Sequence, residues 1–349
     1  MVNRICDKIR YEYYSRKKNR KTNGKNIKWA IIGTGNMANK FARALSITDG
    51  AEIVAIASRS IEKSKGFANK YKVKKAYGSY SSMLEDKELI VDVVYIATPL
   101  ITHYQIIKHA LNNQKNVLCE KPIVQTRNQF DELRLLAKQN NLFLAEGMWM
   151  YCLPVFRKTD EWIKEGKIGN IQKLRIDLSK QEYIDYSRPI FDAQKGGGVL
   201  SDYGIYPIAF AVYYLGADLK IEYCKSILHT HGFDTDWLLV LSNDKVFANI
   251  TFSSIYNGDR KAAVIGDKGC IVWKPQFNRT NSVLLFDENG MKIDEYHVDY
   301  LADGYEYEIF AVQDSIATKK KECDLLGLDI SHEILRITED LKSISGVKL

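Results

Sequence analysis

Two rhythms of apolar and polar residues run along this chain. From Ile27, short apolar runs alternate with amphipathic stretches. The runs are IKWAII (27–32), AEIVAIAS (51–58), VDVVYIAT ending at Thr98, NVLCE (116–120) and LFLAE (142–146). Between them, IEKSKGFANKY, THYQIIKHALNN and TRNQFDELRLLAKQN carry apolar residues at helical spacing. Continuous apolar strands, each followed by a helix, predict βαβ units and a parallel sheet buried on both faces.

The rhythm changes after about Gly147. A helical stretch, VFRKTDEWIKEGKIG, leads into runs that alternate or pair as hairpins. They are KLRIDLSK (173–180), WLLVLSN (237–243), KVFANITFSS (245–254), KAAVIGD (261–267), CIVWK (270–274), SVLLFD (282–287) and MKIDEYHV (291–298). SNDK and DENG between them are tight-turn sequences. EYEIFAVQDSIATKKK and SHEILRITEDLKSI close the chain as helices. The predicted fold class is α/β plus α+β. An N-terminal doubly wound parallel sheet precedes a C-terminal domain with a large, mostly antiparallel open sheet and flanking helices. The expected boundaries are an extension at 1–26, a nucleotide-binding domain at 27–147 and a substrate and oligomerisation domain at 148–349. A cleft is expected near 147–150.

Composition fits this picture. The 349 residues are 46% hydrophobic and 27% charged, enough for two globular domains and unlike a disordered chain, a fibre or a disulfide scaffold. No membrane span is expected, because the apolar stretch Ile205–Leu215 is far short of the ~20 residues needed and contains Pro207. The net charge of +7 is local. Residues 1–28 hold ten Lys/Arg and two acids, which leaves the rest of the chain at −1. A nucleic-acid partner is therefore not expected, and the arm with Arg16, Lys17, Lys18, Arg20 and Lys21 reads as a solvated extension or a contact with an anionic surface. It lacks the apolar core of a secretory signal. Cys6, Cys119, Cys152, Cys224, Cys270 and Cys323 form no CxxC pair and no metal spacing with His. They read as reduced thiols of a cytoplasmic protein with no metal site.

The chemistry starts at Gly33-Thr34-Gly35-Asn36-Met37-Ala38, a GxGxxA turn between a strand and a helix. In that setting it is a dinucleotide-binding fingerprint of the Rossmann type, with the pyrophosphate against the helix N-terminus. At the end of the second strand an NAD site usually places Asp or Glu for the ribose 2′-OH. Here Ser58-Arg59-Ser60 stand there, with Lys63 a turn further on. A hydroxyl and a guanidinium would bind a 2′-phosphate, so NADP is favoured over NAD. If Arg59 only stacks on adenine, both cofactors are accepted.

Ala97-Thr98-Pro99 ends the next strand, with His103 four residues beyond Pro99, and Glu120-Lys121-Pro122 ends the one after. In this order and spacing, GTGNMA, ATPxxxH and EKP resemble the glucose–fructose oxidoreductase and inositol dehydrogenase family. Gly196-Gly197-Gly198-Val199-Leu200-Ser201-Asp202-Tyr203-Gly204-Ile205-Tyr206-Pro207 resembles the signature of the branch that holds dimeric dihydrodiol dehydrogenase. The resemblance covers about 27–345.

Hydride transfer at a carbinol carbon needs a group that gives or takes the hydroxyl proton. Lys121, at a strand end of the nucleotide cleft, suits this role. The resemblance implies that Lys121 and Tyr206 act together at the substrate oxygen and that the Lys121–Pro122 bond is cis. By spacing alone Tyr206 sits in an apolar run and reads as core. Asp202, four residues before Tyr206, positions substrate or the Tyr–Lys pair. His103 either caps or packs its helix or borders the cofactor. Trp149 either lies near the nicotinamide or packs the domain junction. The cofactor-binding set is thus Gly33, Gly35, Asn36, Met37, Ser58, Arg59, Lys63, Ala97, Thr98, Pro99, His103, Glu120, Lys121 and Trp149. Relatives often carry Arg two residues after the tryptophan, where this chain has Tyr151.

The expected activity is an NADP-dependent oxidoreductase acting on a sugar, polyol or cyclic diol, or the matching carbonyl. The alternatives are a non-catalytic NADP-binding regulator and a sugar oxidoreductase with tightly held cofactor. A homodimer or higher oligomer is expected through the C-terminal sheet. Ile250, Phe252 and Val264 mark one apolar face of that sheet, and the other face needs a partner.

Overall fold

A computed structural model describes residues 26–346. The basic extension, apart from Asn26, and Cys6 lie outside the described residues. The chain forms two compact units, and they do not follow the expected boundary. The first runs to Cys152 and takes back Tyr300–Leu328; the second holds Leu153–Asp299 and the segment from Asp329.

In the first unit the elements alternate as β1 (Ile27–Ile32), α1 (Asn36–Ile47), β2 (Ala51–Ala57), α2 (Ile61–Tyr71), β3 (Lys75–Tyr77), α3 (Tyr80–Leu84), β4 (Val93–Ile96), α4 (His103–Asn112), β5 (Val117–Glu120), α5 (Arg127–Gln139) and β6 (Leu144–Gly147). The six strands are parallel in the order β3-β2-β1-β4-β5-β6. The order reverses beside β1, which places the ligand crevice outside the carboxyl ends of β1 and β4. Val93, Val94, Tyr95 and Ile96 are all buried, as strands covered on both faces must be. Helix α1 buries Ala38, Phe41, Ala42 and Leu45, and Phe41 stacks on Tyr95 with ring centroids 3.7 Å apart. Ser60 and Thr126 cap α2 and α5 through the backbone N–H of Lys63 and Gln129.

The second unit holds α6 (Pro154–Lys164), β7 (Ile171–Asp177), α7 (Ile205–Leu215), β8 (Lys220–Leu228), β9 (Asp234–Ser242), β10 (Phe247–Ser253), β11 (Ala262–Gly266), β12 (Gly269–Trp273), β13 (Ser282–Asp287) and β14 (Lys292–His297). Helix α8 (Tyr305–Ala317) then belongs to the first unit, and α9 (Leu328–Ser345) starts at the end of that unit and continues in the second. The eight-stranded sheet has the order β14-β13-β12-β11-β7-β10-β9-β8, antiparallel except for β7 against β10. The predicted pairing of a parallel domain with a mostly antiparallel one is what the chain adopts. Ile250, Phe252 and Val264 are fully buried and belong to the covered face. On β9 and β10, Leu238 and Phe247 are exposed. Among the described residues no helix is long and apolar enough to cross a membrane.

Candidate active site

The first unit contains a cleft of about 850 Å³ at the carboxyl ends of β1, β2 and β4, with none of residues 147–150 among its lining. It brings together Gly33, Thr34 and Gly35, the Ser58–Ser60 turn with Lys63, and Ala97, Thr98 and Pro99. Gly33 has φ +113, and a Cβ there would lie 2.3 Å from the Ala97 carbonyl oxygen. A side chain at that position would break the contact between the two turns. Gly35 is different, because a Cβ there would meet nothing within 4 Å. No side chain caps α1 and no acid stands in its first turn. Its N-terminal N–H groups are arranged for an anion, and the site fits a dinucleotide pyrophosphate. Asn36 is exposed and Met37 half-buried as they open α1. Asn39, which motif reading passed over, fixes the loop. Its amide donates to the Gly35 carbonyl at 2.9 Å and accepts from Lys70 at 2.9 Å.

At the β2 end the structure separates the predicted residues. Ser58 is buried and its hydroxyl is engaged locally. It donates to the Ser60 carbonyl at 2.7 Å and accepts from Ser64 at 2.9 Å. It shapes the turn. Arg59 and Lys63 are exposed at the cleft, and Lys70 joins them there. Lys70 lies seven residues after Lys63 on α2, so two-turn spacing was the available signal. Tyr80 lines the same cleft; burial raises its phenol pKa, and the Arg59 guanidinium beside it acts the other way. No Asp or Glu is among the lining residues.

Lys121 stands just beyond β5, and its bond to Pro122 is cis, as the resemblance implied. Buried polar groups hold this turn. His103 Nδ1 lies 2.9 Å from the Pro122 carbonyl oxygen and Nε2 lies 2.7 Å from that of Thr98. The imidazole thus ties the ATP turn to the EKP turn. Burial lowers the His103 pKa, while the two carbonyls favour its protonated form. Glu146 accepts the Ile123 N–H at 2.9 Å. Glu120 accepts a hydrogen bond from the Tyr95 hydroxyl, and burial raises its pKa against the pull of Tyr95 and Lys121.

Glu308, on α8, was missed by sequence reading. It is fully buried, and among the described residues neither carboxyl oxygen has a hydrogen-bond partner. Burial raises its pKa well above 4.5, and the charge of Glu120 adds to this. One turn earlier, Tyr305 stacks on Trp149 with centroids 4.6 Å apart. Trp149 and Tyr151 are buried in the turn after β6.

In the second unit, Asp202 and Tyr206 lie on one continuous run of helix. Leu200–Gly204 is a wide turn of five-residue hydrogen-bond spacing, and α7 continues from Ile205. Asp202 is exposed and Tyr206 buried. The carboxylate of Asp234 accepts the Leu200 N–H at 2.7 Å and the Trp237 indole N–H at 2.7 Å.

Residues 27–148 match the oxidoreductase family with an NAD-binding Rossmann fold, and residues 156–272 match the GFO/IDH/MocA C-terminal domain. The chain belongs to the GFO/IDH/MocA oxidoreductase family. It is therefore an NAD(P)-binding oxidoreductase, as the three N-terminal motifs implied. Trans-1,2-dihydrobenzene-1,2-diol dehydrogenase of Danio rerio is 30% identical, covering 92% of this chain and 97% of the relative. That of Xenopus tropicalis is 28% identical, covering 92% and 98%. Among solved structures, a 3-ketoreductase from Actinomadura kijaniata in complex with NADP and TDP-benzene superposes with TM-score 0.82 at 23% identity, covering 91% of this chain and 97% of that one. That likeness supports the fold.

Proposed function

We propose that this family member is an NADP-dependent oxidoreductase acting on a sugar, a polyol or a cyclic diol, or on the matching carbonyl. The observation that carries the reading is the cleft wall at the β2 end, whose lining residues include Arg59, Lys63 and Lys70 and no Asp or Glu. A 2′-phosphate would gain charge-assisted contacts there, whereas the 2′-OH of NAD would find no lining carboxylate to accept its hydrogen bond. When bound, the nicotinamide exchanges the hydride. The chain's own residues handle the proton. Lys121 gives or takes it at the substrate oxygen, Tyr206 supplies a second hydroxyl there, and Asp202 orients substrate or that pair. Ser58 and His103 are positioning residues in this reading. Similarity to the dihydrodiol dehydrogenases supports a vicinal diol or sugar-like substrate.

A panel of sugars, inositols, dihydrodiols and their carbonyls, followed by NADPH absorbance, tests this. Turnover with NADP(H) on at least one class is expected. A protein that binds NADPH and turns over nothing in the panel is instead a cofactor-reading regulator. The exposed Leu238 and Phe247 support a homodimer through the outer sheet face. A sedimentation mass of 40.0 kDa that does not change with concentration would refute the dimer. Cytoplasmic function fits the buried free thiols of Cys119 and Cys323.

A further inference from the structure

Gly197, Gly198 and Gly204 of the Gly196–Gly204 signature are surrounded by protein. A Cβ on Gly197 would lie 2.3 Å from the Pro189 carbonyl oxygen, and one on Gly204 would lie 2.4 Å from the Phe252 ring. At Gly198, φ is +117 and a Cβ would lie 1.8 Å from Asp234 Oδ1. Asp234 is the first residue of β9 and is almost wholly buried. Its Oδ2 takes both N–H groups, from Leu200 and Trp237, while Oδ1 has no hydrogen-bond partner among the described residues. Burial raises the Asp234 pKa, while the Leu200 and Trp237 N–H groups and Lys342, buried on α9, act the other way. This carboxylate therefore caps the start of the wide turn that carries Asp202 and runs into Tyr206.

We infer that Asp234 is a positioning residue for the Leu200–Gly204 turn and the start of α7, and so for Asp202 and Tyr206. Its effect on turnover rests on the function proposed above; its effect on the turn does not. A buried acceptor shared by two N–H groups leaves both unsatisfied when removed. A displacement of about 1 Å at a reacting group costs ~10²-fold in rate. The cofactor cleft lies within the first unit, so it is not part of this contact.

The test is hydrogen exchange at 199–206, NADPH titration and turnover on the whole protein. Asp234→Ala should speed exchange at Leu200–Gly204 and lower kcat by ~10²-fold, with NADPH affinity unchanged. Asp234→Asn keeps an acceptor oxygen and should recover most of both. Wild-type exchange in Asp234→Ala, or NADPH affinity falling in step with kcat, would overturn the inference. Should Asp234→Ala not fold, Asp234→Asn decides alone. The amide places an NH2 where Oδ1 has no hydrogen-bond partner, so the site is disturbed and exchange at Leu200 must rise above wild type. Unchanged exchange refutes the role. Tyr206→Phe is measured alongside. If it keeps full turnover, the proposed chemistry fails, and the exchange data still decide the role of Asp234.

Discussion

The two glycine clusters of this chain use the same residue for opposite ends. Gly35 faces open space at the head of α1, so the absence of a side chain leaves room for a ligand. Gly197, Gly198 and Gly204 face carbonyls, a carboxylate and a ring, so their missing side chains make room for the protein itself. Gly33 belongs to the second kind although it sits in the first motif, because the Ala97 carbonyl occupies its Cβ position. A glycine motif thus mixes positions that a ligand uses with positions that the fold uses.

Substitution should separate the two kinds. Gly198→Ala is expected to have the largest effect. Its φ of +117 and the 1.8 Å approach to Asp234 leave no place for a methyl group, and a loss of ~3 kcal/mol or more should appear as insoluble or partly unfolded protein. Gly35→Ala should melt like the wild type and bind NADPH roughly tenfold more weakly, read by calorimetry and fluorescence titration. A Gly35→Ala protein that binds NADPH normally would show that Gly35 leaves no room a ligand uses.

Arg59→Asp probes the other end of the cleft. Removing one charge-assisted contact of about 1.5–3 kcal/mol and adding a carboxylate should move preference from NADP toward NAD by roughly tenfold or more. Tighter binding of NAD than NADP by the wild type would contradict the reading.

Glu308→Gln has the smallest expected effect, and it depends on pH. The folded state holds the Glu308 proton above 4.5, where the unfolded chain releases it. Between 4.5 and the raised folded value the native state binds more protons, so stability falls as pH rises through that window. The amide removes this slope. At pH 8 the variant should melt on the order of 2–4 °C above the wild type, and at pH 4 no higher. A variant less stable than the wild type at pH 8 would show that Glu308 is charged in the fold.

The nucleotide-binding unit was the more legible half. IKWAII coincides with β1, and each apolar run in it became a parallel strand because burial on both faces leaves a continuous signature. β8 was not legible. It lies at the sheet edge with most of its residues exposed, so LysIleGluTyr carries little periodic signal. Its register is set by pairing with β9. The return of α8 to the first unit was equally hidden, since its apolar pattern does not say which sheet it covers. That return is what delivers Glu308 and Tyr305, so both escaped sequence reading. Ser58 was legible as a cleft residue but not as a turn former, because the direction of a hydroxyl depends on Ser60 and Ser64 in three dimensions. Lys121, Asp202 and Tyr206 were found by motif, and their roles remain those proposed above.

Lys121 gives the most direct test of the proposal that a cofactor cleft and a separate proton-transfer group make this protein an NADP-dependent oxidoreductase. The measurement pairs NADPH titration with turnover on wild type and Lys121→Ala, using the best substrate of the panel. NADPH affinity is expected within a few-fold of wild type, as the proposed adenosine-binding residues are untouched, with a turnover loss of ~10²–10⁴-fold. Near-wild-type turnover in Lys121→Ala would contradict it.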